Sequence, residues 1–144
     1  MLLNIPDNPP PSSDPIRDLL RASKTIAVVG LSSNKTRPSN SVGAYLLSAG
    51  YRIVPVNPNE SEVLGEKAYA RLEDIPFPVD IVDVFRRPAL VSPVADSAIA
   101  IHAKALWLQQ GIINEAAAAK AHDAGLIVVQ DACLFVEHKR RCPL

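Results

Sequence analysis

The residues with most chemistry to offer sit in one stretch, Val28-Val29-Gly30-Leu31-Ser32-Ser33-Asn34-Lys35-Thr36-Arg37-Pro38-Ser39. An apolar run ends at Gly30, which lets the backbone turn tightly. Hydroxyl and amide groups follow at Ser32, Ser33 and Asn34, and cations at Lys35 and Arg37. Ser39 stands where a helical pattern begins and reads as its N-cap. A helix start adds free N–H groups and the positive end of the helix dipole. This set suits a phosphate or pyrophosphate. A dinucleotide fingerprint needs Gly-x-Gly-x-x-Gly, but only Gly30 is present and Ser32 stands where the second glycine would be. A Walker loop is also absent. The next apolar run ends in Val56-Asn57-Pro58-Asn59, with no acid in place for a ribose, and Glu60 lies past the turn. These departures argue against NAD or NADP.

Other candidates are weaker. Cys133, His138 and Cys142 are spaced Cys-x4-His-x3-Cys, and a closed zinc site needs a fourth ligand that the neighbouring sequence does not supply. Asp80 and Asp83 lie three apart on an expected strand and so point to opposite faces. A structural role fits Asp83, which must find hydrogen bonds or a cation if buried. His102 and His122 fall at helix ends with no nucleophile to serve, and no Gly-x-Ser-x-Gly elbow exists. Trp107 reads as core whose indole N–H wants a partner. The closing His138-Lys139-Arg140-Arg141 reads as a solvated basic end.

The elements that must position these residues follow from periodicity. Short, nearly continuous apolar runs cover 26–29, 52–56, 80–84, 105–108 and 126–129, as expected of parallel strands covered on both faces. Helical patterns alternate with them: Asp14-Pro15 to about Ser23, Ser39 to Gly50, 89–100, and 115–124 between Asn114 and Gly125, with a weaker one at 70–74. The alternation predicts a Rossmann-like, doubly wound parallel sheet of five strands in a three-layer αβα architecture. Ligands in such sheets bind at the carboxyl ends of the strands. The informative residues are therefore those of 30–39, 57–60, 85–88, 109–111 and 130–133.

Of the 144 residues, 48% are apolar, and Lys+Arg and Asp+Glu number 15 each. A neutral balance excludes a general nucleic-acid binder, which needs a basic excess. Two cysteines make no disulfide framework and fit a reducing compartment. With no membrane-length apolar run and no export signal at the start, a cytoplasmic protein is the expectation. Pro6, Pro9, Pro10 and Pro11 mark residues 1–14 as an extended lead-in, leaving 15–144 for a single domain.

Several ordered motifs resemble a known family. They are Ile26 to Ser32, Arg37-Pro38-Ser39, Val54-Pro55-Val56-Asn57-Pro58, Val79 to Arg87, Leu106 to Gly111, and Val136-Glu137-His138. In these the chain resembles, over about residues 15–141, the small stand-alone CoA-binding domain proteins, which are similar to the amino-terminal domain of the succinyl-CoA synthetase alpha subunit. The resemblance implies a Rossmann-like domain binding coenzyme A or an acyl-CoA. Gly30, Ser32, Ser33 and Lys35 would hold the pyrophosphate, and Asn57, Pro58 and Asn59 would flank the adenosine. Phe85, Arg86 and Arg87 would close over the nucleotide. Gln109 and Gln110 would approach the pantetheine arm, with Arg37 and Ser39 completing the loop. Cys133 follows the fifth strand and so would face the ligand pocket, where a mixed disulfide with CoA is conceivable but a plain buried thiol is favoured. The synthetase's phosphohistidine domain and ATP-grasping partner do not fit in 144 residues, so a binding module is expected. The alternatives are an NAD(P)-dependent enzyme or redox sensor on the same fold, and a regulatory scaffold with a vestigial pocket.

Overall fold

A computed structural model describes residues 14–142; the lead-in expected over residues 1–14 lies, apart from Asp14, outside the described residues. Five parallel strands form the sheet: β1 (Thr25–Val29), β2 (Arg52–Val56), β5 (Ile81–Val84), β6 (Ala105–Leu108) and β7 (Ile127–Val129), in the order β2-β1-β5-β6-β7. Val29 pairs with both Val56 and Val84, and Val84 with Leu108, so the four strands end level. The chain runs from β1 out to β2, then returns to the other side of β1 as β5. Strand order therefore reverses between β1 and β5, the point where this architecture opens a crevice.

Helices cover both faces. Ala27, Val29, Val82, Val84, Leu106 and Leu108 pack against α3 (Val91–Ala100) and α4 (Glu115–Asp123). The alternate residues Ile26, Val28, Ile81 and Trp107 pack against α1 (Pro15–Ala22), α2 (Pro38–Ser48) and α5 (Leu134–Arg141). This is the expected three-layer αβα arrangement. Local signals act as read. Asp14 caps α1 through the Arg17 N–H at 3.2 Å, and Asn114 caps α4 through the Ala117 N–H at 3.0 Å. Gly125, at φ +97°, ends α4's turn. Trp107 is fully buried, and its indole N–H donates to the Ala132 carbonyl at 2.8 Å.

Two readings are corrected. Ser39 is not the cap of α2: Arg37 flanks the helix and Pro38 opens it, so Ser39 lies inside the first turn. The basic end is part of the helix α5: Lys139 and Arg140 are exposed as expected, but the helix is anchored by buried Leu134 and by His138, whose Nδ1 meets the Tyr45 hydroxyl at 2.8 Å. Arg141 pairs with Glu137 and with the α1 cap Asp14, tying α5 to α1. A two-stranded hairpin, β3 (Glu62–Val63) and β4 (Glu66–Lys67), was not foreseen. Its turn is Leu64-Gly65, both at positive φ, rather than the Asn-Gly that would have announced it. Tyr69, just beyond, bridges to Val56 and so shields the outer side of β2, the edge strand where Pro55 is tolerated.

Asp83 is the one acidic residue within the five strands of the sheet. It sits between Val28 and Trp107 in register, has no solvent exposure, and neither carboxyl oxygen has a hydrogen-bond partner among the described residues. The partner expected of a buried Asp83 is thus not there. Asp80, by contrast, accepts from the Lys24 and Thr25 N–H groups and pairs with Lys104 at the opposite end of the strands. Burial pushes the Asp83 carboxyl well above the usual carboxylate range, so it holds its proton in the folded chain. The unfolded chain releases that proton once pH exceeds the ordinary value of 3.8. The folded state then binds more protons, and stability falls as pH rises. Asp83→Asn should remove this loss and stabilise the chain at pH 7, with the gain shrinking toward pH 4. Denaturant unfolding at several pH values checks it, and a pH-independent difference would overturn it.

Candidate functional site

The rim of the crevice is built by extending the ladders one residue past the strands. The N–H of Gly30 donates to the Val56 carbonyl at 2.8 Å, Phe85 to Val29 at 2.9 Å, and Gln109 to Val84 at 3.3 Å. At the switch point the loops after β1 and β5 touch. Gly30 adopts φ +88°, and a Cβ there would lie 2.5 Å from the Phe85 carbonyl oxygen. Only glycine satisfies both the conformation and the approach.

The β1–α2 loop is laced by its own side chains. The Ser32 N–H donates to Ser39 Oγ at 3.1 Å, and Ser32 Oγ accepts from the Asn34 N–H at 3.0 Å. Asn40 Nδ2 holds the Ser32 carbonyl, and Asn57 Nδ2 holds the Leu31 carbonyl at 3.1 Å. Glu60 clasps the outside of the loop: its carboxylate accepts from the Ser33 N–H at 2.5 Å and from the Ser33 hydroxyl at 3.1 Å. The acid noted past the second strand is thus spent on the loop.

Beneath the rim lies an open cavity of about 520 Å³. Gly30, Ser32 and Ser39 form one wall, Asn57 another, and Phe85, Arg86, Arg87 and Arg37 bring an aromatic ring and three cations. None of these three arginines, nor Lys35, has a carboxylate within ion-pair distance among the described residues. Two further cavities adjoin it. One of about 380 Å³ combines the apolar Val29, Val56, Leu72 and Val94 with the charged Arg71 and Glu73, includes Pro58, and shares Arg86 with the central space. The other, about 270 Å³, lies on the opposite flank and shares Pro38, Phe85 and Ile112 with it; Gln109, Gln110 and Cys133 complete this one.

Most residues singled out by sequence therefore converge at one place. Ser33, Lys35 and Asn59 do not line any of these three cavities. Ser33 is engaged by Glu60, Lys35 is exposed on the loop, and Asn59 uses its N–H to brace Asn57 Oδ1 at 3.0 Å. Gln109 is buried because its Oε1 accepts from the Leu134 N–H at 3.1 Å, starting α5. The apolar walls Ile112, Leu72 and Val94 were not foreseen, since nothing in an isolated aliphatic residue signals a cavity. The trio considered for zinc is split: Cys133 opens toward the crevice, whereas His138 and Cys142 line a separate cavity at the other end of the sheet.

A family model described as a CoA binding domain matches residues 24–139, almost the whole described chain. The chain belongs to that family. It is 43% identical over 128 residues to the uncharacterized protein YneT of Bacillus subtilis, covering 89% of this chain and 95% of that protein. A hypothetical protein from Pyrococcus horikoshii superposes with a TM-score of 0.86 at 40% identity, covering 94% of this chain and 98% of the other. A dinucleotide-forming acetyl-coenzyme A synthetase of Ca. Korarchaeum cryptofilum, solved with phosphate and ADP, matches with a TM-score of 0.67 at 27% identity. That likeness covers 78% of this chain and 27% of the synthetase chain, so the CoA-binding fold is a segment of the larger enzyme. No helix among the described residues is long and apolar enough to cross a membrane.

The contact at Gly30 yields a direct test of the rim. Gly30→Ala places a methyl group against the Phe85 carbonyl at a backbone angle that alanine disfavours. It should cost more than about 2 kcal/mol in denaturant unfolding. Gly50→Ala, with the same handedness but nothing within 4 Å of the added atom, should cost about 1 kcal/mol. Equal losses would refute the steric account.

Proposed function

We propose that the crevice binds coenzyme A or an acyl-CoA, with the coenzyme's three chemically distinct parts distributed over the three adjoining cavities. The observation that carries this reading is the sequence of environments: aliphatic walls with a charged margin at Arg71 and Glu73, then cationic, then largely apolar. The central cavity takes the pyrophosphate. There Arg37 and Arg86 supply charge, and the hydroxyls and turned backbone at Gly30, Ser32 and Ser39 supply uncharged contacts. An arginine pairs bidentately with phosphate and stacks on an aromatic base, so Arg86, shared between two cavities, serves phosphate on one side and adenine on the other. The adenosine lies against Pro58, with Asn57 and Asn59 shaping the turn. Phe85 and Arg87 close the opening, and the pantetheine arm runs past Gln109 and Gln110. Lys35 stands at the mouth and steers the anion. Ser33 joins the phosphate contacts only when the Glu60 clasp opens.

The groups that converge are cations, hydroxyls and amides, a set for holding a ligand. An NAD(P) reading lacks its ribose acceptor, because Glu60, the acid after β2, is bound to Ser33.

Calorimetric titration of the full chain with CoA should show binding that weakens steeply with added salt. Arg86→Ala should weaken it by about 1–3 kcal/mol, the range for hydrogen bonds to charged groups, and NADH should not compete. Absence of heat and of thermal stabilisation at millimolar CoA would sink the proposal. Equal binding of NADH would transfer the site to dinucleotides.

A further inference from the structure

Cys133 occupies the flank cavity in which the proposed pantetheine arm ends. The residue precedes α5, its side chain caps no helix N–H, and it is in no disulfide. The walls around it are mainly apolar: Pro38, Val42, Phe85 and Ile112. Two amides, Gln109 and Gln110, face the same space. Gln109 is only 4% exposed. Its Oε1 is fixed by the Leu134 N–H, which leaves the amide nitrogen as the other end of the same rigid group, and that nitrogen has no partner among the described residues. The amide nitrogen is therefore free to donate into the cavity, where a ligand carbonyl oxygen can accept from it.

We propose that Cys133 accepts a short acyl group from acyl-CoA bound in this cavity, with Gln109 Nε2 as the donor to the thioester oxygen. The inference rests on the CoA reading and goes beyond it. The sulfur of Cys133 attacks the thioester carbonyl carbon, forming a new carbon–sulfur bond. The electron pair of the C=O moves to oxygen, where the Gln109 amide meets the developing charge. The tetrahedral intermediate then collapses, and the bond to the pantetheine sulfur breaks. The proton lost by the Cys133 thiol ends on the departing coenzyme thiol. One thioester replaces another, so the exchange is close to balanced in energy and needs neither oxidant nor co-reactant. Holding both sulfurs in one small cavity supplies the effective concentration. A space of about 270 Å³, shared with the arm itself, admits an acyl group of a few carbons and not a fatty chain.

The second cysteine is an internal control. Cys142 lies at the opposite end of the sheet, beside Tyr51 and His138, out of reach of the crevice. The full chain incubated with acetyl-CoA should gain one acetyl group by intact mass, removable with neutral hydroxylamine, and release one CoA. Peptide mapping of the unaltered chain should place the group on Cys133. Cys133→Ser should lower incorporation at least tenfold, Cys142→Ser should leave it unchanged, and palmitoyl-CoA should give at least tenfold less. CoA titration of the same sample separates the two layers. Binding of CoA with no acyl adduct overturns this inference alone, and failure to bind CoA overturns both. An adduct on Cys142 or on lysine, or one with the mass of the whole coenzyme, also overturns it.

Discussion

The gap between the β1 and β5 loops governs the rest of this molecule. Gly30 passes so close to the Phe85 carbonyl that no side chain fits between them. The contact has two consequences. It fixes the distance between the loop bearing Ser32 and Arg37 and the loop bearing Phe85 and Arg86, because both are ladder-bonded to β1 or its neighbours. It also brings the cations of two loops to one opening, although they are about fifty residues apart in the chain. A wider separation would leave two unrelated polar loops on a common fold.

Charge placement follows the same logic. The chain is neutral overall, yet Arg37, Arg86 and Arg87 line one cavity without carboxylate partners among the described residues. Elsewhere, by contrast, Arg141 is doubly paired and Lys104 and Lys120 each meet an aspartate. Glu60 is turned onto Ser33 and braces the loop, and Glu73, in the adjoining cavity, accepts from the Ser97 hydroxyl. A neutral protein thereby keeps a locally positive opening, and the surrounding ion pairs do not compete for it.

Much of this was legible in the sequence. The strands are continuous apolar runs, the caps Asp14 and Asn114 are strong local signals, and the ladder between them leaves only a parallel sheet with its loops at one end. Gly30, Ser32, Arg37 and Arg86 could be placed at that end from topology alone. What escaped was decided by tertiary contact. The helix α5 looked like a basic tail because its stabilisation comes from Asp14, Tyr45 and Gln109, all distant in sequence. The hairpin turns on Leu64, which carries no turn signature and is held where it packs against α2 at Gly43. Ser33 matched the phosphate pattern, but the partner that claims it lies in another loop. The cavity walls Leu72, Val94 and Ile112 are ordinary aliphatics whose role is set only by what they face.

The unpaired arginines and the unpartnered amide of Gln109 share one feature, in that the protein itself does not satisfy them. Like charges facing one cavity repel and reduce the stability of the free chain, and the Gln109 amide nitrogen has no protein acceptor among the described residues. On the proposed reading, the coenzyme satisfies both, since its phosphates neutralise the arginines and its carbonyl-bearing arm meets the amide. Whatever binds the folded chain and not the unfolded one stabilises it by mass action. The free protein is then held below its attainable stability by the arginines that its ligand needs, and their relief on binding adds to affinity. Asp83 differs in kind. It has no solvent exposure and lines none of the cavities described above, so its cost is relieved by keeping its proton and not by the coenzyme.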